Sequence, residues 1–116
     1  MEVYIDFSVF ISSPTESEAY GNIHGTLVLP TIPSSGDELS FLFSSGKKML
    51  PKIEGVRWVL GIEKVIFLVG KEQVCLALQD VVINTKSEAE ALVDYFVNGF
   101  GLYFDCFLDD DLESVD

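Results

Sequence analysis

The chain opens on a strict alternation. Val3, Ile5, Phe7, Val9 and Ile11 fall on one side of an extended backbone, and Tyr4, Asp6, Ser8 and Phe10 fall on the other. A period of two with one apolar and one mixed side marks a half-buried strand over 3–11. The polar stretch SSPTESEAYGN follows, with Pro14 and Gly21 as breakers, and reads as a loop. IHGTLVLP reads as a second strand that stops ahead of Pro30, and TIPSSGD as a turn-rich connector. ELSFLF predicts a short third strand over 38–43. Two longer strands are expected over 56–69 and 74–83, joined by the hairpin loop GKEQ. Gly61 inside the first of them predicts a bulge or bend. VCLALQDVVI is almost wholly apolar, as a central strand covered on both faces would be.

The period then changes. In TKSEAEALVDYFVNGFG, Leu92, Tyr95, Phe96 and Gly99 follow the i, i+3, i+4, i+7 spacing of one helix face. Ser87 followed by Glu90 matches a capping box, so a helix is predicted over 88–98 with Ser87 as its N-cap. Glu88 and Glu90 in the first turn suit the positive end of the helix dipole. Asn98-Gly99 supplies the stop. GLYFDCFL alternates again and predicts a last strand. The predicted order is β-β-β-β-β-α-β. This is an α+β fold: a mainly antiparallel twisted sheet or partly open barrel of about six strands with one C-terminal-half helix. One globular domain is expected over 1–108, followed by an acidic tail over 109–116.

Composition sharpens this picture in two respects. Apolar residues make up 48% and charged residues 22%, so the chain has a core to bury and is not a disordered segment. The net charge of −12 is unevenly spread. Residues 1–46 hold six acids and no lysine or arginine, and residues 73–116 hold ten acids and Lys86 alone. Lys47, Lys48, Lys52, Arg57, Lys64 and Lys71 form the one basic region, with Trp58 and Phe67 among them as a conceivable stacking platform. The surrounding negative field argues against a nucleic-acid or anionic-membrane partner and for a basic one. MEVYIDFSVF has acid where a signal peptide carries lysine or arginine, and no apolar run approaches membrane-helix length. Cys75 and Cys106 sit in apolar strings and read as free thiols, with a single disulfide as the alternative. A cytoplasmic location is expected.

Candidate chemistry is sparse. His24 is the one histidine, and His24, Cys75 and Cys106 lack the spacing of a zinc site. His24 on a strand reads as a half-exposed structural residue. The glycines of NGFGLYF follow a helix, whereas a dinucleotide fingerprint opens one. DDDLESVD has neither the length nor the glycine of a calcium loop. No catalytic residue, cofactor or metal is expected, and the protein is read as a non-enzyme. The aromatics are more informative. Tyr95, Phe96, Phe100, Tyr103, Phe104 and Phe107 crowd into thirteen residues. Most should seal the helix to the sheet. The outward ones, Tyr103 and Phe107, should flank the acids Asp109, Asp110, Asp111 and Glu113 as an interaction surface, since aromatic anchors ringed by charge are what interfaces use.

In size, acidity and lack of a catalytic set the chain resembles, in kind, the small immunity proteins of bacterial toxin systems. That resemblance carries over no residue. It implies an acidic protein-binding domain docking a basic toxin or nuclease. The competing expectation is a structural or assembly subunit, such as a homodimer, whose acidity serves solubility.

Overall fold

The computed structural model describes residues 1–12, 17–44, 46 and 48–107. The elements are β1 (Glu2–Ser12), β2 (Ser17–Val28), β3 (Glu38–Ser40), β4 (Val59–Leu68), β5 (Gln73–Leu78), β6 (Val81–Ile83), α1 (Lys86–Phe100) and β7 (Tyr103–Cys106). The fold is α+β, with seven strands in one open, mostly antiparallel sheet and one helix in the C-terminal half. The order is β3-β4-β5-β1-β2-β7, and β6 lies beside β1.

The alternation of β1 has its expected consequence. Val3, Ile5, Phe7 and Val9 are buried on the inner face of the sheet, and α1 packs there, with the Phe96 ring edge-on to Phe7. Leu92, Tyr95, Phe96 and Gly99, the predicted helix stripe, are all buried. The chain leaving β3 and entering β4 flanks the helix. Phe41 meets Phe96 edge-to-face, Trp58 packs on it at a tilt, and the Tyr95 hydroxyl donates to the Phe41 carbonyl. Lys48 pairs with Asp94 at 2.7 Å, and Asn98 donates to the same carboxylate. The Lys48 hydrogen bond, then that of Asn98, holds the Asp94 carboxyl below the usual carboxylate range against a smaller opposing effect of burial. Trp58, offered by sequence as part of a stacking platform, is a core residue.

Several expectations are corrected. The helix begins two residues earlier than the Ser87 cap requires. Thr85 is the N-cap: its backbone is extended, and its Oγ1 accepts from the Glu88 N–H at 3.2 Å. Thr85-x-x-Glu88 and Ser87-x-x-Glu90 both match the spacing of a capping box in sequence, and Thr85 is the residue that caps the helix. The helix ends at Gly101, whose left-handed φ of 72° lets its N–H reach the Val97 carbonyl.

The predicted loop before the second strand is largely strand. β2 starts at Ser17 and pairs with β1 throughout, with a bulge opposite Val9/Phe10 absorbing the change in register. The 74–83 strand is two strands, broken at Gln79 and Asp80. Asp80 Oδ1 accepts from the Ser8 N–H at 3.1 Å, and Gln79 Oε1 accepts from the Gly61 N–H at 2.6 Å, so side chains take over where the ladder lapses. β5 is buried on one face and half-buried on the other, not covered on both. The bulge expected at Gly61 lies between Ile62 and Lys64. The third strand stops at Ser40 instead of Phe43.

The main topological correction is that β5 and β6 both run parallel to β1. That is possible because the long return through β2, β3 and β4 brings the chain back beside β1 in the same direction. The two cysteines lie on opposite faces. Cys75 is on the outer face opposite Tyr4, while Cys106 packs on the core side opposite Gly21. Both are free thiols, and β1 and β2 stand between their strands.

Candidate functional site

The outer face of the sheet carries the polar half of each alternating strand. β1 contributes Tyr4, Asp6, Ser8 and Phe10, β2 contributes Asn22 and His24, and β7 contributes Tyr103 and Asp105. Register decides what meets. His24 lies opposite Asp6 on β1 and opposite Tyr103 on β7, so one histidine has neighbours from both sides.

His24 Nδ1 lies 2.8 Å from the Tyr4 hydroxyl, and Nε2 lies 3.1 Å from Asp105 Oδ2. The rings of Tyr4, His24 and Tyr103 form a row, with the Tyr103 ring stacked on the imidazole. Burial raises the Tyr4 hydroxyl above its ordinary range, and Asp6, Cys75 and Asp105 push the same way. The Tyr4 hydroxyl therefore keeps its proton at neutral pH and can donate a hydrogen bond to Nδ1. The neutral imidazole then carries its hydrogen on Nε2 and donates to Asp105.

This trio has the membership of a nucleophile, base and orienting acid, and burial favours the protonated form of its hydroxyl. The row is open to solvent on the sheet face, with the Asp105 side chain 71% exposed. Such an arrangement suits recognition: aromatic surface, a carboxylate, and hydroxyl and imidazole groups held in fixed orientation.

Tyr103 is 65% exposed and Phe107 is 49% exposed, so the two aromatics expected to face outward do so, on either side of Asp105. A groove of about 440 Å³ runs between β7 and α1, lined by Tyr20, Glu90, Asp94, Leu102, Tyr103 and Phe104 among others. The edge strand thus presents aromatic rings with carboxylates on both flanks. Asp109, Asp110, Asp111 and Glu113 lie outside the described residues. Among the described residues there is no group of three or more His, Cys, Asp or Glu side chains arranged to hold a metal ion, and no helix is long and apolar enough to cross a membrane.

His24 is the functional candidate that sequence reading set aside. Its partnership with Tyr4 follows from the β1–β2 hairpin register once β2 is known to start at Ser17. Its partnership with Asp105 spans 81 positions and had no local signal. Comparison with protein-family models, with curated proteins and with solved structures finds no match to this chain.

Proposed function

We propose that this chain is a non-enzymatic protein-binding domain that docks a basic protein partner through the β7 strip, with Tyr103 and Phe107 as anchors and Asp105, Glu90 and Asp94 around them. The observation that supports this reading best is the exposure of two large aromatic side chains on an edge strand, on either side of a solvent-facing carboxylate. Aromatic anchors supply contact area at low entropic cost, and the surrounding acid supplies orientation and steering. The net charge of −12 acts over the same surface. It raises encounter rates with a cationic partner above the neutral range of about 10^5–10^6 M⁻¹s⁻¹. Asp109, Asp110 and Asp111 extend the acid in sequence beyond β7. Inhibition of a basic toxin or nuclease, the immunity-type role, is the form of this function that the charge suits best.

The test is affinity capture from the native source with the wild-type protein and a Tyr103→Ala/Phe107→Ala variant of unchanged unfolding midpoint. The expected result is a basic partner retained by the wild type and lost by the variant. Changing Asp109, Asp110 and Asp111 together to Asn should then slow association and flatten its salt dependence. Recovery of this chain alone would overturn the reading in favour of a self-assembling subunit. Identical low-salt association rates for all variants would overturn the role of the strip.

A further inference from the structure

The sheet has a second free edge that the β7 strip does not use. β7 pairs with residues 21–24 of β2 and reaches no further along it, because the chain enters β7 from α1 through Gly101 and Leu102. Gly25 marks the turning point. Its φ is +149°, and a Cβ there would lie 2.8 Å from Leu102 Cδ2, so only glycine fits beneath the crossing chain. Past it, residues 26–28 of β2 have β1 on one side and, among the described residues, no strand on the other.

The ladder tells which main-chain groups face that side. Met1 and Leu29 exchange both bonds, the Met1 ammonium donating to the Leu29 carbonyl at 2.7 Å and the Leu29 N–H to the Met1 carbonyl at 2.8 Å. Doubly bonded pairs alternate with unbonded ones in an antiparallel ladder. Val28 opposite Glu2, and Thr26 opposite Tyr4, therefore turn their N–H and C=O groups away from β1. The same logic holds for β3. The Phe41 N–H donates to the Trp58 carbonyl at 2.7 Å, and the Ile62 N–H donates to the Asp37 carbonyl at 2.8 Å. The backbone groups of Glu38 and Ser40 accordingly point away from β4. These two outward-facing edges border one groove of about 540 Å³, floored by Leu27, Leu29, Leu39 and Phe100. That volume lies within the range of ligand clefts. Val28 beside it is 74% exposed.

We infer that this groove takes an extended segment of a partner protein by strand addition along residues 26–28, with alternate apolar side chains entering the groove and lysine or arginine side chains between them. Strand addition uses main-chain bonds for affinity and alternate side chains for selection. The charge around the edge selects the occupant. Glu2 adjoins Val28, Asp37 and Glu38 stand at β3, and the Glu38 carboxylate meets the exposed Arg57 at 3.6 Å. Among the described residues, cations near the groove include that Arg57, Lys71 near Thr26, and the Met1 ammonium at the far end. A second copy is a poor occupant: two chains of −12 repel, and a three-residue edge falls well short of the ~800 Å² per partner of a standard interface. The inference stands apart from the β7 strip, and either can fail without the other.

The probe is a capped heptapeptide of alternating lysine and valine, titrated into isotopically labelled full-length protein. Its controls are a glutamate-for-lysine version and two versions N-methylated at every second residue, one at the lysines and one at the valines. The expected result is amide shift changes concentrated at residues 26–28 and 38–40. Hydrogen exchange at Thr26 and Val28 should slow at least tenfold at saturation. The glutamate peptide should not bind, and at least one N-methylated peptide should lose tenfold or more in affinity. Which one loses reports the direction of the added strand. Shifts confined to Tyr103, Asp105 and Phe107, or binding by both N-methylated peptides as tight as that of the parent, would overturn the inference and leave electrostatic adsorption alone.

Discussion

The Tyr95 hydroxyl donates to the Phe41 carbonyl across 54 positions and joins α1 to the end of β3 inside the core. The ring packs on Trp58 and Phe100, so the bond is made in a dry setting where an orphaned carbonyl is costly. Tyr95→Phe keeps the ring and removes the donor. It should destabilise by about 1–3 kcal/mol in urea unfolding. An unchanged midpoint would mean that water reaches the Phe41 carbonyl.

Phe96 stands at the junction of sheet, helix and flanking chain, with Phe7, Phe41, Trp58 and Phe100 around it. Phe96→Ala should cost about 3–5 kcal/mol. Phe67→Ala, on an exposed ring of β4, should stay within about 0.5 kcal/mol. Equal effects at the two positions would contradict the placement of the core.

The two overlapping capping boxes make opposite forecasts. Thr85→Ala should cost about 1 kcal/mol, because the Glu88 N–H loses its acceptor. Ser87 lies inside the helix and is exposed, so Ser87→Ala should be neutral or stabilise by a few tenths of a kcal/mol. Chemical denaturation of the two variants side by side decides it, and the reverse ranking would return the cap to Ser87.

Alkaline stability should depend on two tyrosines. Burial raises the hydroxyls of both Tyr4 and Tyr95 above the ordinary value near 10. The folded chain then holds these protons more tightly than the unfolded chain. Their contribution is intact below about pH 10 and is lost as pH rises through the elevated folded values. Tyr4→Phe and Tyr95→Phe should each make the fall in unfolding free energy above pH 10 shallower. A slope unaltered in both variants would place the alkaline loss elsewhere.

Asp94 sets the opposite dependence. Its carboxyl is held below the usual range, chiefly by the Lys48 hydrogen bond. That contribution is present above the ordinary carboxylate value near 4 and is lost as pH falls through the lowered folded value. Asp94→Asn should flatten the acid limb of stability below about pH 4 and leave the alkaline limb as it is. An acid limb identical to wild type would show that the pair does not persist in solution.

Patterns with a short repeat were legible in the residues themselves. The alternation of Val3, Ile5, Phe7 and Val9 determined which face of β1 is core, because a strand turns successive side chains to opposite sides wherever it is placed. The Leu92, Tyr95, Phe96 and Gly99 stripe determined the helix and its buried face for the same local reason. The outward placement of Tyr103 and Phe107 followed from there being more aromatic surface in thirteen residues than one small core can cover.

Other features belong to the tertiary structure alone. Two overlapping sequence matches competed for the helix cap, and the folded chain enters the helix at Thr85. The parallel pairing of β5 and β6 with β1 depends on how a long excursion returns, and alternation is blind to strand direction. The break at Gln79 and Asp80 is invisible in an apolar string, because it is repaired by side-chain bonds to Gly61 and Ser8 from strands distant in sequence. The Tyr4, His24 and Asp105 row and the open edge at residues 26–28 arise where three strands meet or where one stops short. Both depend on adjacency in space. Local periodicity specifies which way a side chain faces, and only the packed sheet specifies what it faces.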